Sequence, residues 1–178
     1  MTSSQRIRIN PEKCSGCRIC ELICAFTKHA EFNSKRSRIR IVKIERFLVD
    51  LPVVCQQCFT PSCITECPVG ALKKDMDNIV HVDETLCTGC EQCVEACPFE
   101  AISIDPLSNV AILCDLCNGA PECVKWCPTR ALELGEPPFT AKNIDLTTRS
   151  LLEKWSIPIK EYEEYFENPK RNKEHSDE

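Results

Sequence analysis

The sequence contains few aromatic residues and no long hydrophobic run. Aromatic side chains make up 6% of the 178 residues, and the hydrophobic fraction of 43% falls to about a third when the 16 cysteines are set aside. A conventional apolar core would be thin, so bound metal is the natural additional source of folding free energy. The longest apolar stretch, Phe47–Val54, is short and is interrupted by Asp50, so we expect no membrane-spanning segment.

Signals for export and for nucleic-acid binding are also missing. Residues 1–14 contain no apolar signal segment and no cleavage site, so we expect a cytoplasmic protein. The formal net charge of −5 argues against nucleic acid as a partner. No phosphate-binding loop is present.

The cysteines fall into four groups of four, and none is left over. Group one is Cys14, Cys17, Cys20 and Cys24, and group two is Cys55, Cys58, Cys63 and Cys67. Group three is Cys87, Cys90, Cys93 and Cys97, and group four is Cys114, Cys117, Cys123 and Cys127. This completeness indicates that every cysteine is a metal ligand and that none is a spare nucleophile.

The spacing within the groups is typical of [4Fe–4S] ligation. Group three reads Cys-x2-Cys-x2-Cys-x3-Cys-Pro, the bacterial ferredoxin run in which the fourth cysteine binds a second cluster. Gly89 permits a tight loop, and we expect Cys97 to open a short helix with Pro98 in its first turn. Groups two and four have longer middle gaps, and group one has Ala25 in place of the proline.

Structural zinc and disulfide bonds are the alternatives for so many cysteines. A zinc ribbon closes one tetrahedron with two separated Cys-x2-Cys pairs, whereas each group here holds four cysteines, three of them within one loop. A disulfide scaffold would fit the count but not a chain without a secretion signal. We therefore predict four [4Fe–4S] clusters. The histidines, His29, His81 and His175, lie outside the cysteine runs and form no nucleophile–base arrangement, so we do not expect an enzyme.

The segments between the groups predict short strands in an internally repeated α+β fold. Arg38–Glu45 mostly alternates polar and apolar residues, and further strands are predicted at 79–82, 101–104, 110–113 and 131–134. The basic residues from Lys35 to Arg46 are either a solvated strand face, a contact for an acidic partner, or a positive field that raises the potential of a nearby cluster.

The chain changes character after Gly135. Pro137 and Pro138 interrupt regular structure, and no cysteine follows. Apolar residues at helical spacing then occur at Leu151, Leu152, Trp155, Tyr162, Tyr165 and Phe166. This tail either folds back on the cysteine-bearing region or is an arm that docks to a partner.

The cysteine pattern resembles the four-cluster ferredoxin-like subunits of molybdenum and tungsten oxidoreductases, some hydrogenases, and formate or carbon monoxide dehydrogenases. The likeness covers Ile7 to Leu134 and is closest in group two, where Cys-Gln-Gln-Cys-Phe-Thr-Pro-Ser-Cys leads to Cys-Pro-Val-Gly-Ala. Group one, with Cys-Ser-Gly-Cys-Arg-Ile-Cys-Glu and the later Glu31-Phe-Asn33 and Ser37-Arg-Ile-Arg40, resembles the small subunits of the tungsten aldehyde:ferredoxin oxidoreductase family. These include the tungsten benzoyl-CoA reductase complexes. Carriers associated with carbon monoxide dehydrogenase share the same features.

The resemblance implies a tandem bacterial-ferredoxin-like fold with crosswise ligation. One cluster would take Cys14, Cys17, Cys20 and Cys127, and its mate Cys114, Cys117, Cys123 and Cys24. The inner pair would take Cys55, Cys58, Cys63 and Cys97, and Cys87, Cys90, Cys93 and Cys67. Two pseudo-symmetric dicluster halves would then form a four-cluster domain over 1–135, with the inner half at 50–108 and a partner-docking extension at 136–178.

The same resemblance implies the function of the chain. It would relay electrons to or from a larger catalytic subunit, a tungsten or molybdenum pterin enzyme such as a benzoyl-CoA-reducing complex, with a further redox subunit or ferredoxin as an additional partner. The alternative is a free polyferredoxin, or one associated with carbon monoxide dehydrogenase or hydrogenase.

Overall fold

The computed structural model describes residues 5–44 and 49–135, which contain four antiparallel strand pairs. In it, β1 (Arg6–Ile9) pairs with β8 (Leu132–Gly135), β2 (Ile39–Ile44) with β3 (Val49–Val54), β4 (Leu72–Lys74) with β5 (Val80–Val82), and β6 (Ser103–Ile104) with β7 (Ala111–Ile112). Because β1 precedes group one and β8 follows group four, their pairing brings these two groups together. The described part of the chain has a small mixed fold of short helices and strands.

All five predicted strand segments coincide with strands of the structure. The segment predicted at Arg38–Glu45 contains β2, and those at 79–82, 101–104 and 110–113 contain β5, β6 and β7. The segment at 131–134 overlaps β8, which ends one residue later. The sequence pattern missed β1, β3 and β4, which become strands by pairing with β8, β2 and β5. The predicted helical spacing from Leu151 to Phe166 and the residue Arg46 lie outside the described residues.

Each cysteine group contributes one helix that carries its third cysteine. These helices are α1 (Ile19–His29), α2 (Ser62–Thr65), α3 (Gln92–Glu95) and α4 (Glu122–Lys125), and Pro11–Lys13 and Ser34–Arg36 form single 3-10 turns. None of the helices within residues 5–44 and 49–135 has the length and apolar character needed to cross a bilayer.

The expectation that Cys97 opens a helix is wrong. Cys97 follows the end of α3, and Pro98 occupies a turn in which the Glu100 amide donates to the Cys97 carbonyl at 3.0 Å. The physical reason is that a proline disfavours helical geometry in the residue before it, so the helix ends ahead of the fourth cysteine. The helix therefore orients Cys93, and the turn orients Cys97.

The alanine in group one changes the local structure around its fourth cysteine. Without a proline at position 25, α1 continues past Cys24 for five residues to His29, whereas α2, α3 and α4 each span four residues. Ala25 is completely buried in this helix. The substitution therefore replaces a turn by additional helix and keeps Cys24 buried.

The core is aliphatic and contains many of the cysteines. Ile7, Val54, Val80 and Leu116 are almost completely buried and pack with buried cysteines from all four groups. Among the described residues, no aromatic side chain belongs to this core. This agrees with the thin apolar core that the composition predicts.

Candidate metal centres

The loop between the first and second cysteine has the same unusual backbone in every group. The residue before the second cysteine has a positive φ of 62° at Gly16, 46° at Gln57, 68° at Gly89 and 55° at Leu116. A left-handed residue at this position reverses the chain tightly, and glycine adopts it without steric cost. The four loops are therefore structural repeats, although only two of them have glycine at this position.

At Gly16 and Gly89 the loop also packs too closely for a side chain. A Cβ on Gly16 would clash with the Asp50 carboxylate, and one on Gly89 would clash with the backbone carbonyl of Asn109. These glycines are needed for close packing as well as for backbone conformation.

The fourth cysteine of groups two, three and four sits in a turn rich in backbone N–H groups. The amide three residues later donates to its carbonyl, at 3.2 Å for Gly70, 3.0 Å for Glu100 and 3.2 Å for Arg130. The next amide then points at the sulfur, from Ala71 to Cys67 Sγ at 3.3 Å and from Ala101 to Cys97 Sγ at 3.4 Å. Such amides stabilise a thiolate and a negatively charged iron–sulfur cluster.

An open cavity in the inner part of the chain is lined by cysteines from two groups. Its walls include Cys67 together with Cys87, Cys90 and Cys93. The cavity therefore combines the fourth cysteine of group two with the first three of group three. The reverse combination also occurs, because Cys97, the fourth cysteine of group three, lies near group two. Burial raises the pKa values of Cys58 and Cys63, and the negative charge of the Cys97 thiolate raises them further.

A second open cavity joins groups one and four. Its walls include Cys24 together with Cys114, Cys117 and Cys123. It also contains Lys28 and Arg38, and the Arg38 amide donates to Cys24 Sγ at 3.3 Å. Cys127 is in turn a charge neighbour of Cys14, whose pKa is raised mainly by burial.

The fourth cysteine of every group thus lies near cysteines of another group. For Cys67 and Cys24, all of the first three cysteines of the other group line the same cavity. Among residues 5–44 and 49–135, no three side chains of His, Cys, Asp or Glu converge on a position for a single metal ion. Four thiols around an open cavity, with backbone amides directed at their sulfurs, fit the donor set of a cubane cluster.

Burial shifts the pKa values of most of the thiols upward. It raises the pKa of Cys20 to about 12 and those of Cys63 and Cys93 to about 11. Ligands must be deprotonated before they bind iron, so cluster assembly at these sites releases protons.

The fourth cysteines of groups two and four, Cys67 and Cys127, have lowered pKa values instead. Partial burial raises the pKa of Cys67, but the amides of Leu72 and Ala71 more than offset it, so the pKa is lowered. The pKa of Cys127 is lowered in the same way, by the amides of Leu132 and Ala131 together with Thr129.

The basic stretch from Lys35 to Lys43 is largely engaged in ion pairs within the chain. Arg36 binds Asp105 through Nε at 2.9 Å and Nη2 at 2.7 Å, and Arg38 binds Asp115 at 2.5 Å. Lys28 contacts the same Asp115 at 2.8 Å. Sequence reasoning missed these acidic partners, because they are distant in sequence and belong to no motif.

The cysteine loops, the cavities and the directed amides define an iron–sulfur protein that binds [4Fe–4S] clusters. Residues 47–137 match the 4Fe-4S dicluster domain family. The chain belongs to this family, which confirms the prediction of a ferredoxin-like [4Fe–4S] protein.

The sequence similarity to curated relatives covers about half of this chain. The polyferredoxin-like subunit of an aliphatic sulfonate oxidoreductase from Pyrococcus furiosus is 38% identical over 85 residues, 47% of this chain and 49% of that protein. A tetrathionate reductase subunit from Archaeoglobus fulgidus is 32% identical over 82 residues, 46% of this chain and 40% of that protein. A subunit of the anaerobic dimethyl sulfoxide reductase of Escherichia coli is 32% identical over 104 residues, 51% of this chain and 50% of that protein. This chain therefore spans about half the length of these relatives, or less.

A solved structure is also similar. A chain of the BamBC active-site complex of benzoyl coenzyme A reductase with bound benzoyl-CoA is 25% identical, with a TM-score of 0.45, covering 84% of this chain and 90% of that one.

Proposed function

We propose that this chain relays single electrons through four [4Fe–4S] clusters to or from a larger catalytic oxidoreductase subunit. The observation that carries the proposal is the mixed lining of the two cavities, each with three cysteines of one group and the fourth of another. This arrangement is typical of two-cluster ferredoxins. The named relatives are subunits of oxidoreductases, which supports the same role.

The proposed ligand sets follow the proximity of the cysteines. The outer half would hold one cluster on Cys14, Cys17, Cys20 and Cys127 and another on Cys114, Cys117, Cys123 and Cys24. The inner half would hold one on Cys55, Cys58, Cys63 and Cys97 and another on Cys87, Cys90, Cys93 and Cys67. The strand pair β1–β8 supports the joining of groups one and four.

The protein contributes ligands, hydrogen bonds and partial exclusion of water. When bound, a [4Fe–4S] cluster supplies a one-electron acceptor whose potential depends on nearby hydrogen bonds and solvent exposure. Amides such as Ala71 and Ala101 donate to the ligating sulfurs. Buried thiols such as Cys55 and Cys114 hold their part of the site away from solvent.

The proposed partner is a tungsten or molybdenum enzyme of the aldehyde:ferredoxin oxidoreductase family, such as a benzoyl-CoA-reducing complex. The motifs of groups one and two support this class, and residues 136–178 are the proposed docking extension. A further redox subunit or a ferredoxin would exchange electrons at the other end. The competing proposal is a free polyferredoxin, which a monodisperse, partner-free protein in native extracts would favour.

Metal analysis tests the cluster count directly. Anaerobically purified full-length chain should contain about sixteen iron and sixteen sulfide per chain and should be brown, since each cubane holds four of each. A colourless protein with bound zinc would refute the proposal. About twelve iron after full reconstitution would mean that one group holds no cluster.

Serine variants test the crosswise ligation. Cys97→Ser should alter the same electron paramagnetic resonance signal as Cys58→Ser, because both would ligate one cluster. Cys90→Ser is the matched control from the same loop as Cys97 and should alter a different signal. If Cys97→Ser and Cys90→Ser instead change one common signal, ligation is local to each group and the proposed pairing is wrong.

A further inference from the structure

Gln57 and Leu116 are the two residues with a side chain at the left-handed loop position, and Gln57 is the polar one. It occupies the left-handed position that glycine occupies in groups one and three, with a φ of 46°. This conformation is unfavourable for a residue with a Cβ. The Gln57 side chain is nevertheless 2% exposed, so it is held by specific contacts.

Both ends of the Gln57 amide are hydrogen-bonded to distant parts of the chain. Its Nε2 donates to the backbone carbonyl of Cys114 at 2.6 Å, and its Oε1 accepts from the amide of Val80 at 2.8 Å. Cys114 is 57 residues away in group four. The side chain therefore connects a group-two loop directly to a proposed ligand of the outer half.

The thiols on the two sides of this connection are close and buried. Cys55 is 8% exposed and Cys114 is 7% exposed. Gln57 is two residues from Cys55 in the chain, and its side chain is hydrogen-bonded to the backbone of Cys114. The ligand sets that contain Cys55 and Cys114 therefore meet at Gln57.

The solvent-exposed thiols belong to the other two sets. Among the sixteen cysteines, all of which lie in the described part of the chain, Cys17 and Cys90 are the exposed ones. Cys17 belongs to the proposed set that ends with Cys127, and Cys90 to the set that ends with Cys67. The sets that meet at Gln57 would thus be the two middle members of a chain of four.

We propose that Gln57 is a positioning residue that fixes the cluster site of Cys55 against that of Cys114, and that electrons cross between the two halves at this junction. The inference rests on the proposed four-cluster function. The step transfers one electron from a reduced to an oxidised site, and no bond forms or breaks. A buried amide bonded at both ends is suited to this role, because shifting it would leave buried polar groups without partners.

The test compares two adjacent glutamines in the full-length, cluster-loaded protein. Gln57→Gly removes both hydrogen bonds, while glycine suits the left-handed backbone, as at Gly89 in the equivalent loop. Gln56→Gly is the matched control, because the Gln56 Nε2 donates to the Val54 carbonyl two residues away, at 2.9 Å, and not across to another group within the described part of the chain.

Two measurements report on the junction in each variant. One is the spin–spin interaction between reduced clusters in electron paramagnetic resonance spectra. The other is the rate at which a single electron, introduced by a flash, redistributes among the clusters. We expect Gln57→Gly to retain wild-type iron, sulfide and visible absorption, but to lose or change the splitting between the middle clusters and to slow the redistribution. Gln56→Gly should match the wild type in both.

Wild-type splitting and redistribution in Gln57→Gly would overturn the inference. If Gln57→Gly fails to retain iron, the inference is tested with Gln57→Met instead. Methionine keeps the side-chain volume and removes only the hydrogen bonds. Loss of splitting in an iron-replete Gln57→Met supports the inference, whereas wild-type splitting, or loss of iron in this variant too, overturns it. The proposed function fails separately, when the wild-type chain itself contains zinc or lacks clusters.

Discussion

Asp105 is a buried carboxylate that joins two distant parts of the chain. It is 1% exposed, and it accepts hydrogen bonds from Arg36 Nε at 2.9 Å and Nη2 at 2.7 Å. The Ser108 hydroxyl donates at 2.8 Å and the Leu107 amide at 3.2 Å. Arg36 ends the 3-10 turn Ser34–Arg36, three residues before the start of β2 at Ile39, so this contact ties the basic segment to the hairpin that follows group three.

Asp105→Asn should destabilise the protein strongly, because it keeps the size of the side chain but removes its charge. Breaking a buried ion pair from one side costs about 3–5 kcal/mol. The Arg36 side chain is 15% exposed and retains Glu31 at 3.1 Å, so the lower end of that range applies. A loss of about 3 kcal/mol from the native state alone makes unfolding roughly a hundredfold faster.

The pH dependence of this effect follows from the pKa of Asp105. The Arg36 guanidinium and the Leu107 and Ser108 donors hold that pKa well below its usual value, against the opposing effect of burial. A carboxyl group with a lowered folded-state pKa contributes its full stability above the unfolded pKa of about 3.9 and loses it as the pH falls through the folded value. The difference in stability between the wild type and Asp105→Asn should therefore be constant between about pH 8 and about pH 5.

The assay is the rate at which guanidinium bleaches the cluster absorption under anaerobic conditions, since loss of clusters makes unfolding irreversible. Glu100→Gln is the control, because Glu100 pairs with Arg40 at 3.0 Å but its side chain is 76% exposed. An exposed pair contributes about 0–1 kcal/mol, so the control should bleach at most roughly fivefold faster. Equal bleaching rates in the two variants would refute the structural role of Asp105.

Three further changes test other parts of the structure. Ala25→Pro should shorten α1 at a cost of about 3 kcal/mol or more, seen as lost helical circular dichroism and faster bleaching; unchanged dichroism would contradict the helix continuation. Gly89→Ala should lower iron retention more than Gly70→Ala, because both have positive φ but only Gly89 would clash with Asn109; equal retention would show that conformation alone matters. Truncation after Gly135 should keep the iron and the visible spectrum but abolish co-purification with the catalytic partner; loss of the clusters would make the tail part of the cluster domain.

Cysteine spacing by itself determined the chemistry of the site. Ligands to one cubane come mainly from a single loop, so their pattern is local and can be read directly from the sequence. The same holds for β2, whose alternation between Ile39 and Ile44 is long enough to indicate a strand. The three-residue strand β4 and the ends of the helices were less predictable, because partners and prolines set their limits.

Tertiary structure decided which groups meet and what holds them together. The β1–β8 pair joins the two ends of the cysteine-bearing region, and residue spacing does not encode that contact. The buried partner of Arg36 is 69 positions away in the chain, and the two partners of Gln57 are 57 and 23 positions away. Asp105 and Gln57 look ordinary in the sequence, because their roles arise from burial and from partners that only folding brings within reach.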